Sequence, residues 1–238
     1  MRATKTLLLA GLLAASALAP AGAADLLQSP LYENAPEVVP VEIGNAWYLR
    51  VDGAYDFKSD VDASADGGLG RSDGTLQLDG APDFGVGAGY HFTDMLRADV
   101  TGRYWRGDLS GDFSGGGVGG KLRAWEVMAN AYVDLGTIAG FTPYIGGGAG
   151  AVNLRLEDVS CAAAYACDGS ADASGDWRFA YAAMAGVAYS LTQNLQLDVG
   201  YRYTHVGEGD LGSFGDLRLS DDGFDRHSIQ AGIRYSLW

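Results

Sequence analysis

The chain reads as an all-β protein, an eight-stranded antiparallel transmembrane up-and-down β-barrel. Three observations predict it. Runs of alternating apolar and polar residues recur eight times between Trp47 and Trp238. The breaks between them alternate long and short, at 59–83, 93–95, 107–121, 136–140, 157–176, 192–194 and 206–223. The chain also opens on an export signal.

That signal comes first in the chain. Arg2 and Lys5 form a basic start, Leu7 to Leu18 is an apolar run, and Ala21-Gly22-Ala23 supplies the small residues a signal peptidase reads. The apolar run is shorter than the ~20 residues a spanning helix needs. We therefore place a cut after Ala23, with residues 1–23 as a signal peptide. Residues 24–45 carry Pro30, Pro36 and Pro40 beside Glu33, Glu37 and Glu42, and read as an unstructured periplasmic lead-in. Residues 46–238 remain for the barrel.

Cleavage removes two basic residues and takes the formal net charge from −14 to −16. A nucleic-acid surface needs a basic stripe, so nucleic acid is not expected as a partner. No later stretch approaches 18 consecutive apolar residues. A secreted chain without such a stretch spans a membrane only as a closed barrel, which satisfies its own backbone. The 36 glycines and 6 prolines suit strands and open loops better than helices.

The strands follow in order. In the first, Ala46 to Lys58, Trp47, Leu49, Val51, Gly53, Tyr55 and Phe57 share one face. Tyr48, Arg50, Asp52, Ala54 and Asp56 share the other. In the second, Phe84, Val86, Ala88, Tyr90 and Phe92 alternate with glycines and His91. In the third, Leu96, Ala98, Val100 and Tyr104 oppose Arg97, Asp99, Thr101 and Arg103. In the fourth, Trp125, Val127, Ala129 and Val133 oppose Glu126, Met128, Asn130 and Tyr132. The fifth, Phe141 to Leu156, is rich in Gly and Ala, and its facing stays open. In the sixth, Phe179, Tyr181, Val187 and Tyr189 oppose Arg178, Ala182 and Met184. In the seventh, Leu195, Leu197, Val199, Tyr201 and Tyr203 oppose Gln196, Asp198 and Arg202. In the eighth, Ile229, Ile233, Tyr235 and Leu237 oppose Ser228, Gln230 and Arg234.

Alternation alone also fits a soluble sheet. The aromatics decide for the membrane. Trp47, Phe92, Phe141, Tyr189 and Tyr235 collect at the short-turn end of the apolar face. Phe57, Phe84, Tyr104, Trp125, Phe179, Tyr201 and Tyr203 collect at the long-loop end. Two aromatic girdles about 25 Å apart mark a lipid-facing surface, whereas a soluble core has no reason to sort its rings to the ends.

The charges then point inward. Arg50, Asp52, Asp56, Arg97, Asp99, Arg103, Glu126, Arg178, Asp198, Arg202 and Arg234 are expected to form an ion network in the lumen. An eight-stranded bore is just wide enough for side chains to fill. Six arginines against five acids would pair, since an unpaired buried charge is costly. The set reads either as a plug or as a charged ion path, and the narrow bore favours the plug.

Three stretches resemble a known family. They are Ala24-Asp25 with a Pro-containing spacer leading to Trp47-Tyr48, Gly53 and Tyr55; Phe141 to Gly150; and Gly232-Ile233-Arg234-Tyr235-Ser236. Together they resemble the OmpA-like, porin-family eight-stranded outer-membrane barrels of the alphaproteobacterial surface-antigen type. The resemblance implies an outer-membrane location, both termini in the periplasm and long loops outside. It implies outer-membrane lipid and lipopolysaccharide as surroundings, and the barrel-assembly machinery as a partner during biogenesis. The ending Tyr235-Ser236-Leu237-Trp238 puts the last aromatic out of phase with the assembly signal of the family, so Leu237 or Trp238 is the effective end. The chain stops at the last strand, so a peptidoglycan-binding domain is not carried over.

Few residues outside the lumen suggest chemistry. Cys161 and Cys167 are the only cysteines, and an oxidising compartment favours a disulfide between them. Asp60-x-Asp62-x-Ser64 hints at a calcium loop, but the sixth and twelfth places hold Ala65 and Arg71, so no metal or cofactor site is assigned. The first and last long loops are strongly acidic and read as solvated. His205 and His227 lie near the long-loop rim, and Ser228 follows His227. Adjacent strand residues face opposite ways, so no triad forms there and no enzyme is expected. The expected role is structural and surface-exposed, with a narrow channel and a loop-mediated adhesin as alternatives.

Overall fold

In the computed structural model, the residues described are 46–67, 70–113, 116–161, 177–214 and 217–237. The expected cut after Ala23, the 24–45 lead-in, Cys167 and Trp238 lie outside them.

Twelve strands form among the described residues: β1 (Ala46–Asp56), β2 (Ser59–Gly67), β3 (Gly70–Leu78), β4 (Pro82–His91), β5 (Leu96–Phe113), β6 (Gly116–Asp134), β7 (Phe141–Cys161), β8 (Trp177–Ser190), β9 (Leu195–Val206), β10 (Gly209–Phe214), β11 (Leu217–Asp221) and β12 (Phe224–Ser236). Eight of them close a ring of antiparallel neighbours in the order β1, β4, β5, β6, β7, β8, β9, β12 and back to β1. The first and last strands pair from Tyr48 opposite Ser236 to Asp56 opposite Ser228, so no barrel edge is left open.

The short turns are stapled by hydroxyls. Thr93 Oγ1 accepts from the backbone N–H of Met95 and of Leu96, at 3.2 and 2.9 Å. Thr192 Oγ1 does the same for Asn194 and Leu195, at 3.3 and 3.0 Å. The turn between β6 and β7 uses Gly136, Ala139 and Gly140 at positive φ.

The long breaks are where the structure differs from expectation. Residues 59–83 hold the β2–β3 hairpin, and 206–223 hold the β10–β11 hairpin. Strands β5, β6 and β7 run on through the other breaks, reaching Phe113, Gly116 and Cys161. The hairpins join these long strands in one sheet, with β11 pairing β2 and β3 pairing β5. The acidic stretches are thus largely strand and not open loop. Alternation explains it: Val61 and Ala63 in β2, Leu76 and Leu78 in β3, and Leu211 in β10 point inward, and the acids between them point out. Asp60 and Asp62 are residues of a regular strand opposite Gln77 and Thr75, which rules out the twelve-residue calcium-loop geometry for them.

Facing of the fifth predicted strand is now fixed. Tyr144, Val152, Leu154 and Leu156 are buried, while Phe141 and Ile145 are exposed.

Candidate functional site

Along each long strand the two faces exchange character partway. In β5 the inward residues run Arg97, Asp99, Thr101, Arg103, then Trp105 and Leu109. The outward ones run Leu96, Ala98, Val100, Tyr104, then Arg106, Asp108 and Ser110. In β6 the change falls between Trp125, 57% exposed, and the buried Ala124 and Leu122. On the turn side of this line the outside is apolar and the inside charged, as lipid requires. On the other side the outside is polar and the inside apolar, as water requires. The exchange sits at the Tyr104–Trp125 pair, whose ring centroids are 4.7 Å apart. At the opposite end of the apolar band Trp47 packs edge-on to Tyr90 at 5.4 Å, and Phe141 lies 4.6 Å from Tyr189. These are the two girdles.

All eleven residues assigned to the lumen are buried and bonded there. Near the turns, Arg97 Nε donates to Asp134 at 3.1 Å while its guanidinium lies 3.9 Å from the Tyr132 ring centroid. Arg234 pairs Asp198 at 3.3 Å, and Tyr144 donates to the same carboxylate. At mid-height Arg50 grips Asp52 with two bonds of 2.8 Å and donates to Asp99, also at 2.8 Å. Tyr48 and Asn130 complete the Asp99 shell at 3.0 and 2.8 Å. Higher up, Arg103 pairs Asp83 at 2.8 Å and Arg202 pairs Glu126 at 2.6 Å. Arg226 bridges Asp56, Asp83 and Glu126, with its guanidinium 4.0 Å from the Trp105 ring. Arg178 closes the column on Asp221 at 2.5 Å.

Arg226, Asp83, Asp134 and Asp221 were missing from the sequence assignment. Three of them follow the same parity: Arg226 lies two residues from Ser228, Asp134 two from Tyr132, and Asp83 two from Gly85. All three lie at strand ends, where the alternation is too short to mark them. Asp221 belongs to the β10–β11 hairpin, inside the 206–223 break. Its burial raises the carboxyl above the usual range, with Arg178 pulling the other way.

Above the charged column lies a second, apolar stopper. Trp105, Leu109, Leu122, Leu76, Leu78, Leu154 and Phe224 belong to one buried cluster there. The sequence signal for it is the Leu-x-Leu alternation at 76–78, inside the 59–83 break, and at 154–156, the end of the fifth predicted strand. Of the two cysteines expected to pair, Cys161 is among the described residues, where its backbone pairs with Val118, and Cys167 lies outside them.

The histidines are separated from Ser228. His227 faces outward beside Tyr201, and Ser228 is buried and donates to the Arg202 carbonyl at 3.3 Å. His205 bonds Asp225 at 2.7 Å on the outer face.

Comparison with known proteins agrees with this architecture. A family model described as the outer membrane protein beta-barrel domain matches residues 6–236. An uncharacterized Brucella abortus protein is 34% identical over 265 residues, covering 90% of this chain and 92% of that one. A Rickettsia bellii protein described as a candidate adhesin is 26% identical, covering 82% of this chain and 90% of that one. Among solved structures, Neisserial surface protein A is similar at 21% identity with a TM-score of 0.44, over 79% of this chain and 96% of that one. The chain belongs to the outer membrane protein beta-barrel domain family and is an outer-membrane barrel.

Proposed function

We propose that the protein is a non-conducting outer-membrane barrel whose working part is the extended sheet at its long end. The observation that carries this reading is the double stopper. A column of seven buried arginines and eight buried carboxylates fills the bore among the described residues, and the apolar cluster around Trp105 sits above it. An ion crossing would have to break charge pairs already desolvated together, and then pass an apolar layer with no polar replacement for its hydration. The long end faces the outside of the cell, and both termini face the periplasm. The role is to reinforce the envelope and to present a rigid surface. His227 and Ser228 lie on opposite faces of β12, so these two do not form a catalytic pair.

Purified barrel in planar bilayers is expected to leave the baseline unchanged. Steady, reproducible single-channel steps would overturn the reading in favour of a narrow channel. Protease added to intact cells should cut only at the long end, and protection there would reverse the orientation.

Adhesion is a second reading, favoured by the Rickettsia bellii relative's description and by the ordered β2–β3 and β10–β11 hairpins. Shortening β2–β3 while the barrel still folds should lower attachment of expressing bacteria to host cells. Unchanged attachment would count against it.

A further inference from the structure

The outward face of β5, β6 and β7 carries an arrangement that the fold itself does not need. Arg106 lies directly opposite Arg123, and Arg123 directly opposite Arg155. All three are on the outer face, Arg106 and Arg155 exposed and Arg123 half-buried. Like charges directly opposite each other destabilise a strand pair. Three in a row, in a chain of net charge −14, call for an anion.

The protein's own anions meet only part of that call. Arg123 pairs Glu157 at 2.8 Å. Arg106 Nε is held by the Tyr104 hydroxyl, with the guanidinium 5.2 Å from that ring. Among the described residues neither Arg106 nor Arg155 has an acidic partner within ion-pair distance. One step further from the turns the pattern changes, with Lys121 flanked by Asp108 and Glu157 as cross-strand neighbours and bonded to Asp158 at 2.9 Å. The two arginines without an acidic partner, Arg106 and Arg155, therefore flank Arg123 at a single level.

That level has a definite depth. It lies two residues beyond Tyr104 and Trp125, the girdle at the long end, and so roughly 7 Å further along the strands. Girdle rings sit at the boundary of the hydrocarbon, which puts the row among headgroups. A cleft of about 470 Å³ opens beside Arg106 and Arg123, and its lining also carries Asp79, Asp108, Glu157 and Asp158. Guanidinium pairs hold phosphate through two parallel bonds, and a row of forks suits a group bearing more than one phosphate.

We propose that Arg106, Arg123 and Arg155 form a binding site on the outer wall for the phosphorylated headgroup of an outer-leaflet glycolipid. The assignment rests on the outward orientation of the long end given above. Girdle aromatics would lie against the acyl chains, and the arginine row would grip the phosphates.

The test compares the wild type with the variant R106Q/R123Q/R155Q. Both are folded into phosphatidylcholine vesicles, with and without bis-phosphorylated lipid A, and unfolding is followed by loss of the compact band on a gel. In phosphatidylcholine alone the variant should be at least as stable as the wild type, because the repulsion is gone. With lipid A the order should reverse, and the variant should bind it about tenfold more weakly or worse. Dephosphorylated lipid A should leave the wild type as in phosphatidylcholine. Inorganic phosphate at the same concentration should not substitute, and if it does, the site is for free phosphate and the lipid assignment falls. Equal stabilisation of both proteins by lipid A overturns the proposal. Vesicles have the lipid on both leaflets, so this result is independent of orientation, which the protease experiment on cells tests separately.

Discussion

Arg226 is the keystone of the upper lumen, and its replacement by methionine tests the account of how the bore is filled. The residue is 3% exposed. It bonds Asp56, lies 3.4 Å from both Asp83 and Glu126, and covers the Trp105 ring. Methionine keeps length and ring contact while deleting the charge. Asp83 would retain Arg103 at 2.8 Å, and Glu126 would retain Arg202 at 2.6 Å. Asp56 has no other side-chain hydrogen bond among the described residues, so the damage concentrates there. Breaking one buried pair and stranding the other charge costs about 3–5 kcal/mol. Urea unfolding in phosphatidylcholine vesicles, read by tryptophan fluorescence, should show a loss of that size for R226M. Adding Asp56→Asn removes the stranded charge, so the double variant should recover at least about 1 kcal/mol relative to the sum of the single ones. A loss under about 1 kcal/mol for R226M, or strict additivity, would refute the network as described.

Further expectations concern packing and pH. Gly150→Ala places a Cβ against the Val127 carbonyl and the Met128 backbone, and should destabilise the barrel by about 1–3 kcal/mol in the same assay. Gly53→Ala meets nothing within 4 Å and should be close to neutral, so equal effects at the two sites would contradict the register. Trp105→Ala empties the base of the apolar stopper and should cost about 3–5 kcal/mol, measured by the same unfolding curve. The Asp221 carboxyl titrates above its unfolded value, so the folded state takes up the proton first. Its contribution to stability therefore rises as pH falls through the folded value. The wild type should gain protease resistance at the long end, relative to D221N, as the medium is acidified from neutrality, and a gain on alkalinisation would reverse the sign.

The membrane half was legible from parity alone. Arg50, Arg103 and Arg202 sit on one side of their strands and Val51, Tyr104 and Tyr201 on the other, and lipid permits only one way round. The long end was not legible for the opposite reason. There Leu76, Leu109 and Leu154 face in and Thr75, Asp108 and Arg155 face out, a pattern that also fits polar loop when no partner strand is in view. Pairing of β11 with β2 joins residues about 150 positions apart in sequence, beyond what local alternation conveys. The arginine row was invisible for the same cause. Arg106, Arg123 and Arg155 become neighbours only once the register of three strands is known.

The exchange of faces at Tyr104 and Trp125 acts as a depth gauge. Slide the barrel two residues deeper toward its turns, and Arg106, Arg123 and Arg155 enter hydrocarbon, where arginine costs about 2–4 kcal/mol at the midplane and less toward the edge. Slide it the other way, and Phe84, Trp125 and Phe179 at the long end are left in water. Movement either way is uphill, so the height at which the long end stands above the bilayer is written into the strands and does not depend on any partner that it meets.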